Sequence, residues 1–427
     1  MKPPFEPFRE TFWRSPLRGP WLTSALGSLL LVLVSIVIVT GFLSHVAYEP
    51  NLRGNAIVPA GADLPLLFHW PTGPTYLYAV TQGLHVNVGL AAVPFLLAKL
   101  WSVIPRLWAW PPVLSPLHAL ERLSVALLVS SAVFQFVTGI MNAQYWYAFG
   151  FNFVVAHYYG AVVFTASLAL HVVLKMPVIL RAYRERGWLR QLRDTAPEPA
   201  GGLAPVDPAA PTISRRGLFA FVGGASALLV AANAGQTIGG PLRSLAFLAP
   251  RREDFPVNRT AARAQITAAM VGPAYQLTLT GGGTEVLLRR EELLALPQQT
   301  ARLPIACVEG WTTTQEWTGV RLAELARAAG LDPADVADAF VRSLQPRGVL
   351  SKASLNGAQV RDQDSMLALM VNGADLALDH GYPARIIVPA LPGVHNTKWV
   401  ASIDFGESAG ADSLASSLAR TSRRVVA

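Results

Sequence analysis

Five long apolar runs in the first part of the chain constrain its fold more than any other feature. They are Trp21–Leu43, Tyr76–Trp101, Ala119–Met141, Ala148–Met176 and a weaker run richer in Gly and Ala, Gly217–Ile238. A helix of about 20 mostly apolar residues crosses the hydrocarbon core of a bilayer. Charged residues make up 15% of the chain, whereas soluble proteins carry roughly 25%. We therefore expect an all-α transmembrane bundle of four spans, with the fifth run as a linking span.

The basic residues predict how this bundle is oriented. Arginines precede the first run and follow the second and fourth, and the largest group is Arg181, Arg184, Arg186, Arg190 and Arg193. The loops at 44–75 and 142–147 carry one basic residue, Arg53. Because loops rich in Lys and Arg stay in the cytoplasm, we expect a multi-pass protein of the plasma (inner) membrane with a cytoplasmic N-terminus. The net charge of +8 lies beside the runs, so membrane lipid is the expected partner and nucleic acid is not.

Composition divides the chain into five parts. Residues 1–193 are the predicted transmembrane domain, 194–213 a cytoplasmic linker rich in Pro, Ala and Gly, 214–249 the fifth span with an arginine pair, 250–407 an extracytoplasmic domain and 408–427 a tail rich in Ser and Ala. The chain has a single cysteine, Cys307. One thiol permits no intramolecular disulfide, so the outer domain must be stabilised by its own core.

Strand and helix patterns mix in residues 250–407, which predicts a multi-domain chain whose last domain is α+β. Residues 275–288 alternate on both sides of the turn at Gly281–Gly283, which indicates a hairpin. Arg321–Ala329 has helical spacing and ends before Gly330. The other predicted strands are Phe340–Leu344, Met366–Val371, Arg385–Val388 and Trp399–Phe405.

An arginine pair stands before the fifth run. The segment Ser214–Phe219, with the sequence SRRGLF, resembles a twin-arginine signal, which exports domains that have already folded. The alternative is an ordinary basic flank. Ala232–Ala234 looks like a signal-peptidase site, but cleavage there would release the outer domain from the four spans. We therefore expect the segment to remain as an anchor.

Histidines in the apolar runs indicate a metal cofactor. Ionisable side chains in a membrane span are costly and usually functional, and neutral imidazole is a good iron ligand. His157 and His171 are fourteen residues apart, close to four helical turns, so they project from one face at a separation of roughly 21 Å. This spacing suits one helix that ligates two stacked haems.

Depth in the membrane indicates the partners of these two ligands. His85 lies about as far below the outer surface as His157, and we expect this pair around an outer haem. His118 enters the third run near the cytoplasmic face, close to the depth of His171, and we expect this pair around an inner haem. The arrangement resembles the four-helix b-type cytochromes that serve periplasmic dehydrogenases and reductases. In that family the inner ligand commonly comes from the first helix, where this chain has only His45 at the outer end, so one or two b haems are expected.

A second set of motifs surrounds Cys307. In chain order the motifs are Cys307–Thr312 (CVEGWT), Glu316–Val320 (EWTGV), His380–Pro389 (HGYPARIIVP) and Gly393–Trp399 (GVHNTKW). In this order they resemble the sulfite oxidase family of molybdopterin enzymes, over roughly Phe255–Phe405. The cysteine segment looks most like the periplasmic methionine-sulfoxide reductase catalytic subunit. Without these neighbours, Cys307 would be interpreted as a buried, inert thiol.

The resemblance implies a molybdenum site in the outer domain. Cys307 would be the catalytic residue and supply the protein thiolate to the metal. The residues expected to bind the rest of the cofactor are Asn258, Ser343, His380, Arg385, His395, Asn396, Thr397 and Lys398. Among them the two cations would bind the pterin phosphate. The reductase branch of the family has a Tyr-Glu pair shortly after the asparagine, where this chain has Ala261 and Ala262.

Together these features predict a membrane-bound, molybdopterin-dependent oxidoreductase. The expected reaction is oxygen-atom transfer with a small S-oxide, N-oxide or methionine-sulfoxide-type substrate, with b haems exchanging electrons with the quinone pool. One alternative is a sulfite-oxidising dehydrogenase that feeds electrons into the membrane. Another is an electron-carrying or binding protein without a working molybdenum site.

Overall fold

The computed structural model describes residues 6–193 and 207–407, together with residues 196, 198, 203 and 205. The predicted tail at 408–427 and part of the predicted linker lie outside the described residues. The chain divides into two compact units. The helical unit lies within residues 1–41 and 84–252, and the α+β unit lies within residues 42–83 and 253–427.

Five long helices account for the five apolar runs. They are α1 (Pro20–Ala47), α2 (Leu77–Leu107), α3 (Pro116–Ala143), α4 (Phe153–Arg186) and α5 (Arg215–Ile238). Among the described residues, these are the helices long and apolar enough to cross a membrane. The helical N-terminal region predicted from the sequence is therefore confirmed, and its composition is consistent with a membrane protein.

Short polar side chains and glycines set the ends of several of these helices. Ser115 caps α3 by accepting a hydrogen bond from a backbone N–H in the first turn, and Asn152 and Ser214 do the same for α4 and α5. Helices α4 and α5 end where Gly187 and Gly239 take φ of 68° and 83°. Such angles cost little only for glycine, so these residues stop the helices.

Helix α5 packs against α2 through buried carboxamides. The side chain of Asn233 donates to Oδ1 of Asn87 at 3.1 Å, and Nε2 of Gln236 donates to Oδ1 of Asn233 at 2.9 Å. Asn233 and Ala232 are both buried. The segment that looks like a signal-peptidase site thus lies inside a packed helix.

The α+β unit contains two mixed or antiparallel sheets. Its strands are β1 (Gln276–Gly281), β2 (Thr284–Arg289), β3 (Gln298–Ala306), β4 (Thr312–Arg321), β5 (Val336–Ser343), β6 (Lys352–Asn356), β7 (Met366–Val371), β8 (Ala374–Asp375), β9 (Arg385–Ile387) and β10 (Val400–Glu407). Its short helices are α6 (Ala268–Val271), α7 (Arg290–Ala295), α8 (Leu322–Ala328) and α9 (Gly357–Arg361). One sheet has the order β2-β1-β10-β5-β6; the other has the order β3-β4-β7-β8, with β9 also paired to β7.

The predicted α+β fold is confirmed, and most of its predicted elements are present. The hairpin β1–β2, the helix α8 and the strands β5, β7, β9 and β10 occur where the patterns indicated them. The sequence patterns did not indicate β3, β4, β6 and the two-residue β8, or the short helices α6, α7 and α9. Cys307 lies in the connection of the β3–β4 hairpin. The Thr-rich, alternating β4 and the Pro304-containing β3 lack the continuous apolar run of a central strand, which is why they were overlooked.

Residues 42–83 were assigned to the transmembrane domain, as the end of one span, a loop and the start of the next, but they pack with the strands. Glu49 is 1% exposed and accepts hydrogen bonds from Trp70 N and from Asn356 Nδ2. The indole of Trp70 donates to Ala390 O at 2.6 Å. The side chain of Gln82 donates to Val308 O at 2.6 Å, next to Cys307. The segment is therefore an integral part of the α+β unit.

Candidate cofactor sites

A cavity in the α+β unit brings together the motifs that the sequence singled out. Its empty volume is about 550 Å³, part of it open to solvent. The predicted site residues that line it are Asn258, Cys307, His380, Arg385, Asn396, Thr397 and Lys398. These residues come from four separate stretches of the chain, and the two sheets position them around one space.

The loop that carries Cys307 is held by its own backbone. Cys307 N donates to Trp311 O at 2.9 Å, and Gly310 N donates to Cys307 O at 3.0 Å. Gly310 has φ of 94°, which glycine tolerates without strain. Burial raises the pKa of the Cys307 thiol, and the nearby carboxylate of Glu309 raises it further. Without a metal this thiol is protonated, so metal binding must release its proton.

Two buried cations lie in the cavity wall. Arg385 and Lys398 are 6% and 8% exposed, and neither forms an ion pair with a carboxylate among the described residues. Arg385 donates to the carbonyls of His380 and Asn396, and Lys398 Nζ donates to the carbonyls of Asp379 and Arg259. Their stems approach closely at Gly381, where an added Cβ would lie 3.0–3.2 Å from both side chains.

Burial lowers the pKa of both cations. It lowers the pKa of Arg385 to about 9. Burial, assisted by repulsion from Arg385, lowers the pKa of Lys398 to about 7. A bound anion would reverse both shifts, because an opposite charge favours the protonated form. The cavity is therefore electrostatically suited to a phosphate.

Neighbouring side chains offer hydrogen-bond groups that no described residue uses. Asn396 Oδ1 accepts from Val388 N at 2.9 Å, which leaves Nδ2 buried without a partner. Thr397 Oγ1 and Arg385 Nε are buried and unpaired in the same way. Buried polar groups in proteins are nearly always satisfied, so this set of donors suits an anionic ligand.

Known proteins match the same part of the chain. Residues 264–412 match the family model described as the oxidoreductase molybdopterin binding domain. Mitochondrial sulfite oxidase of Drosophila melanogaster is 29% identical over 152 residues, which cover 30% of this chain and 26% of that protein. NADH nitrate reductase of Volvox carteri is 30% identical over 150 residues, covering 29% and 17% of the two chains. The uncharacterized oxidoreductase YuiH of Bacillus subtilis (strain 168) is 30% identical over 121 residues, covering 28% and 59%.

Residues 264–412 are a molybdopterin-binding oxidoreductase domain of the sulfite oxidase type. The predicted oxidoreductase and its molybdopterin cofactor are thereby confirmed at the level of this domain. The chain spans between about a sixth and three fifths of the length of these relatives. The matched region falls within the α+β unit.

Two residues predicted to face the cofactor lie outside the cavity of the molybdopterin domain. Ser343 Oγ donates to Lys398 O at 2.7 Å, so it supports the backbone of a lining residue. His395 is buried, and its Nε2 bonds to Tyr48 O at 3.3 Å. Burial lowers the pKa of His395 to about 4. The neutral ring uses its one N–H on Tyr48, so its Nδ1 can only accept.

Other lining residues of the molybdopterin domain were not predicted from the sequence. They include Phe255, Ile305, Trp311, Thr313, Leu350 and Val394. For Trp311, its place inside the cysteine motif was a usable signal. Phe255 stacks on the ring of His380 with centroids 3.7 Å apart. Because Phe255 lies far from these motifs in the chain, only the fold reveals this contact.

In the helical unit, His85 and His157 face each other. Their ring centroids are 6.2 Å apart. A metal ion between two imidazoles lies about 2 Å from each ligating nitrogen, and each nitrogen lies about 1 Å from the centre of its ring. The two ring centres are then roughly 6 Å apart. A glycine backs each ring: a Cβ added at Gly41 would lie 2.9 Å from His85, and one at Gly139 would lie 3.4 Å from His157.

The hydrogen bonds of these rings fix their tautomers. His85 Nδ1 donates to Val37 O at 3.0 Å. His157 Nδ1 lies 3.0 Å from Thr138 Oγ1, whose single proton is donated to Phe134 O at 2.7 Å. His157 Nδ1 must therefore be the donor to Thr138. In both rings Nε2 keeps its lone pair and bonds to no described residue, an arrangement typical of a metal ligand.

The structure does not bring His118 and His171 together. The contacts Thr138–His157 and Lys175–Glu121 set the antiparallel register of α3 and α4. In that register His118 lies about seven residues, or roughly 10 Å, beyond the level of His171. The ring of His118 instead accepts a hydrogen bond from Leu114 N at 3.1 Å.

Proposed function

We propose that this chain is a membrane-bound oxidoreductase that transfers an oxygen atom at a molybdenum cofactor and exchanges the electrons with the quinone pool through b haem. The α+β unit would hold the molybdenum cofactor and the helical unit the haem. The observation that carries the proposal is the cavity at Cys307, where a thiol and the unpaired donors of Arg385, Asn396 and Thr397 line one space.

The residues of the α+β unit fit the molybdenum cofactor. When bound, the cofactor supplies two-electron oxygen-atom transfer. Cys307 would lose its proton and bind the metal as a thiolate, which is a soft ligand. Arg385 and Lys398 would hold the phosphate by charge-assisted hydrogen bonds. Asn396 Nδ2 and Thr397 Oγ1 would supply the remaining donors to the cofactor.

The cavity wall near these residues also favours a particular substrate class. Phe255, Ile305 and Trp311 line it and carry no charge. Such a wall excludes water and accepts a small neutral molecule, as an S-oxide or N-oxide is. Reduction of an S-oxide consumes two electrons and two protons, and it yields the sulfide and water.

The paired imidazoles of His85 and His157 fit a six-coordinate b haem. Two neutral Nε2 ligands per iron give an electron-transfer centre. Val37 O and Thr138 Oγ1 would orient the rings, and Gly41 would allow the close packing of His85. Such a haem supplies electrons singly, so one turnover needs two transfers.

A second candidate is oxidation of sulfite, with the electrons entering the membrane. It is favoured by the relative named sulfite oxidase, which is 29% identical over the molybdopterin region. In this direction water supplies the oxygen atom, and two electrons leave through the haem.

The direction is tested by following the haem absorption of the purified protein. Methionine sulfoxide added to photochemically reduced protein should oxidise the haem, and Cys307→Ser should abolish this response. Sulfite that reduces the oxidised haem in the same preparation supports the second candidate. Protein that contains molybdenum and haem but responds to neither compound contradicts both.

A further inference from the structure

Residues like those of the proposed outer haem site recur fourteen positions away on each of four helices. The pairs of residues are Gly41 and Gly27 on α1, His85 and Lys99 on α2, Thr138 and Ser124 on α3, and His157 and His171 on α4. Fourteen residues are close to four turns, so both members of a pair lie on one helix face about 21 Å apart. We call the level of His85 and His157 the outer level and the level of Lys99 and His171 the inner level. On α2, lysine therefore occupies the inner level where histidine occupies the outer level.

Close packing against α1 is the same at both levels. A Cβ added at Gly41 would lie 2.9 Å from Cε1 of His85, and one added at Gly27 would lie 3.0 Å from Nζ of Lys99. Each glycine thus admits the functional end of the α2 side chain opposite it.

Hydrogen bonding to α1 is also the same. His85 Nδ1 donates to the carbonyl of Val37, and Lys99 Nζ donates to the carbonyl of Thr23 at 2.7 Å. Val37 and Thr23 each precede the facing glycine by four residues. The amine of Lys99 therefore occupies the place against α1 that Nδ1 of His85 occupies at the outer level.

His171 is the α4 residue at the inner level, fourteen positions from His157. Its ring forms no hydrogen bond with the residues that the structure describes, and Lys99 and Lys175 act on it electrostatically. Lys175 is paired with Glu121 at 3.3 Å. Between the two levels, Val34, Ala132 and Phe164 form an apolar layer that packs α1, α3 and α4 together. Val34 and Phe164 are seven positions from both levels, and Ala132 is six from Thr138 and eight from Ser124, so the layer lies between the two levels.

We propose that the inner level is a second haem site, with His171 and Lys99 as its axial ligands. The inference rests on the proposed haem between His85 and His157. A neutral amine can give its lone pair to iron and keep an N–H for Thr23 O, as one imidazole does with two nitrogens at the outer level. Coordination also removes a buried ammonium, which is costly among apolar helices.

The test counts haems and identifies their ligands in purified full-length protein. The pyridine haemochrome should give two haems per chain, and His171→Ala should give one. Lys99→Ala should make the inner haem high-spin or remove it. Lys99→His should keep two haems and move the near-infrared band of the inner ferric haem to that of the outer one. His118→Ala is the matched control and should change neither count nor spectrum.

Three results would each contradict a different proposal: the inner haem site, Lys99 as its ligand, or the proposed function. One haem per chain that survives His171→Ala overturns the inner site and leaves the outer haem intact. Two haems whose electron paramagnetic resonance spectra are unchanged in Lys99→Ala and Lys99→His exclude Lys99 as a ligand. Wild-type protein without haem contradicts the proposed function itself, so the two failures are distinguishable.

Discussion

Arg215 in the helical unit and Arg385 in the α+β unit are both buried, but only one of them meets a carboxylate. Arg215 is 0% exposed and pairs with Glu198 at 3.6 Å, and Glu198 in turn accepts from Trp21 N at 2.8 Å. Arg385 donates to two backbone carbonyls and has no ion pair among the described residues. A buried charge is expensive unless it is paired. Arg215 thus has its partner within the protein, whereas Arg385 requires one from outside.

The same contrast extends to the histidines. The cavity in the α+β unit contains unpaired donors at Asn396 and Thr397, which suit an anion. The facing rings of His85 and His157 present lone pairs, which suit a metal ion. Unsatisfied groups of opposite kind in the two units therefore suit two different ligands, the molybdopterin cofactor and the proposed haem.

The largest expected effect is one that changes the α+β unit and leaves the helical unit unaffected. We predict that Cys307→Ser reduces substrate turnover to below detection and leaves the haem spectrum unchanged. A serine oxygen is a poor replacement for a soft thiolate on molybdenum, and the units have separate cores. Turnover assays and visible spectra of one preparation check this. Substantial activity in the variant would remove Cys307 from the ligand role.

The two arginines that resemble an export signal, Arg215 and Arg216, differ in burial and can be tested separately. Arg216 is exposed, so Arg216→Lys should leave the fold intact. If the pair directs export, protease added to spheroplasts should fail to digest the α+β unit of this variant. Arg184→Lys, at another exposed arginine, is the control. Unaltered digestion in Arg216→Lys would mean that the pair is only a charged flank. Arg215→Met should also destabilise the helical unit, because the buried Glu198 loses one cation and then keeps Arg186, at 3.7 Å, as its ion-pair partner among the described residues. The loss should be smaller than the roughly 3–5 kcal/mol that a fully unpaired buried charge costs.

The smallest effect concerns the charge of Lys398. Its pKa of about 7 lies below the value of about 10.4 for an exposed lysine. Below pH 7 the buried amine is charged in the folded state, and this lowers the free energy of unfolding by its full amount. The penalty disappears as the pH rises toward 10, because the amine is then neutral in the folded state and loses its proton in the unfolded state as well. Cofactor-free protein should therefore gain a few degrees of thermal midpoint over this range, and Lys398→Met should not. A bound phosphate should abolish the gain. Equal pH profiles for wild type and variant would contradict the unpaired-cation interpretation.

Local motifs indicated residues that the structure brings to one cavity, whereas helical spacing and depth suggested a pair, His118 and His171, that the structure keeps apart. Cys307, Arg385 and Lys398 lie in short segments whose residue types carry the chemistry, and all three line one cavity. The partner of His171 depends on the register between helices, which no single helix encodes. That is why depth alone suggested His118. For the same reason, the packing of residues 42–83 with the strands could not be predicted from a loop sequence.

The central claim is that one chain holds a molybdenum cofactor and a haem at independent sites. The most direct test measures molybdenum and haem per chain in one sample of wild-type protein and of His157→Ala. We predict one molybdenum per chain in both proteins and one haem fewer in the variant. Wild-type protein that lacks either group, or a variant that keeps its full haem content, would contradict the two independent sites.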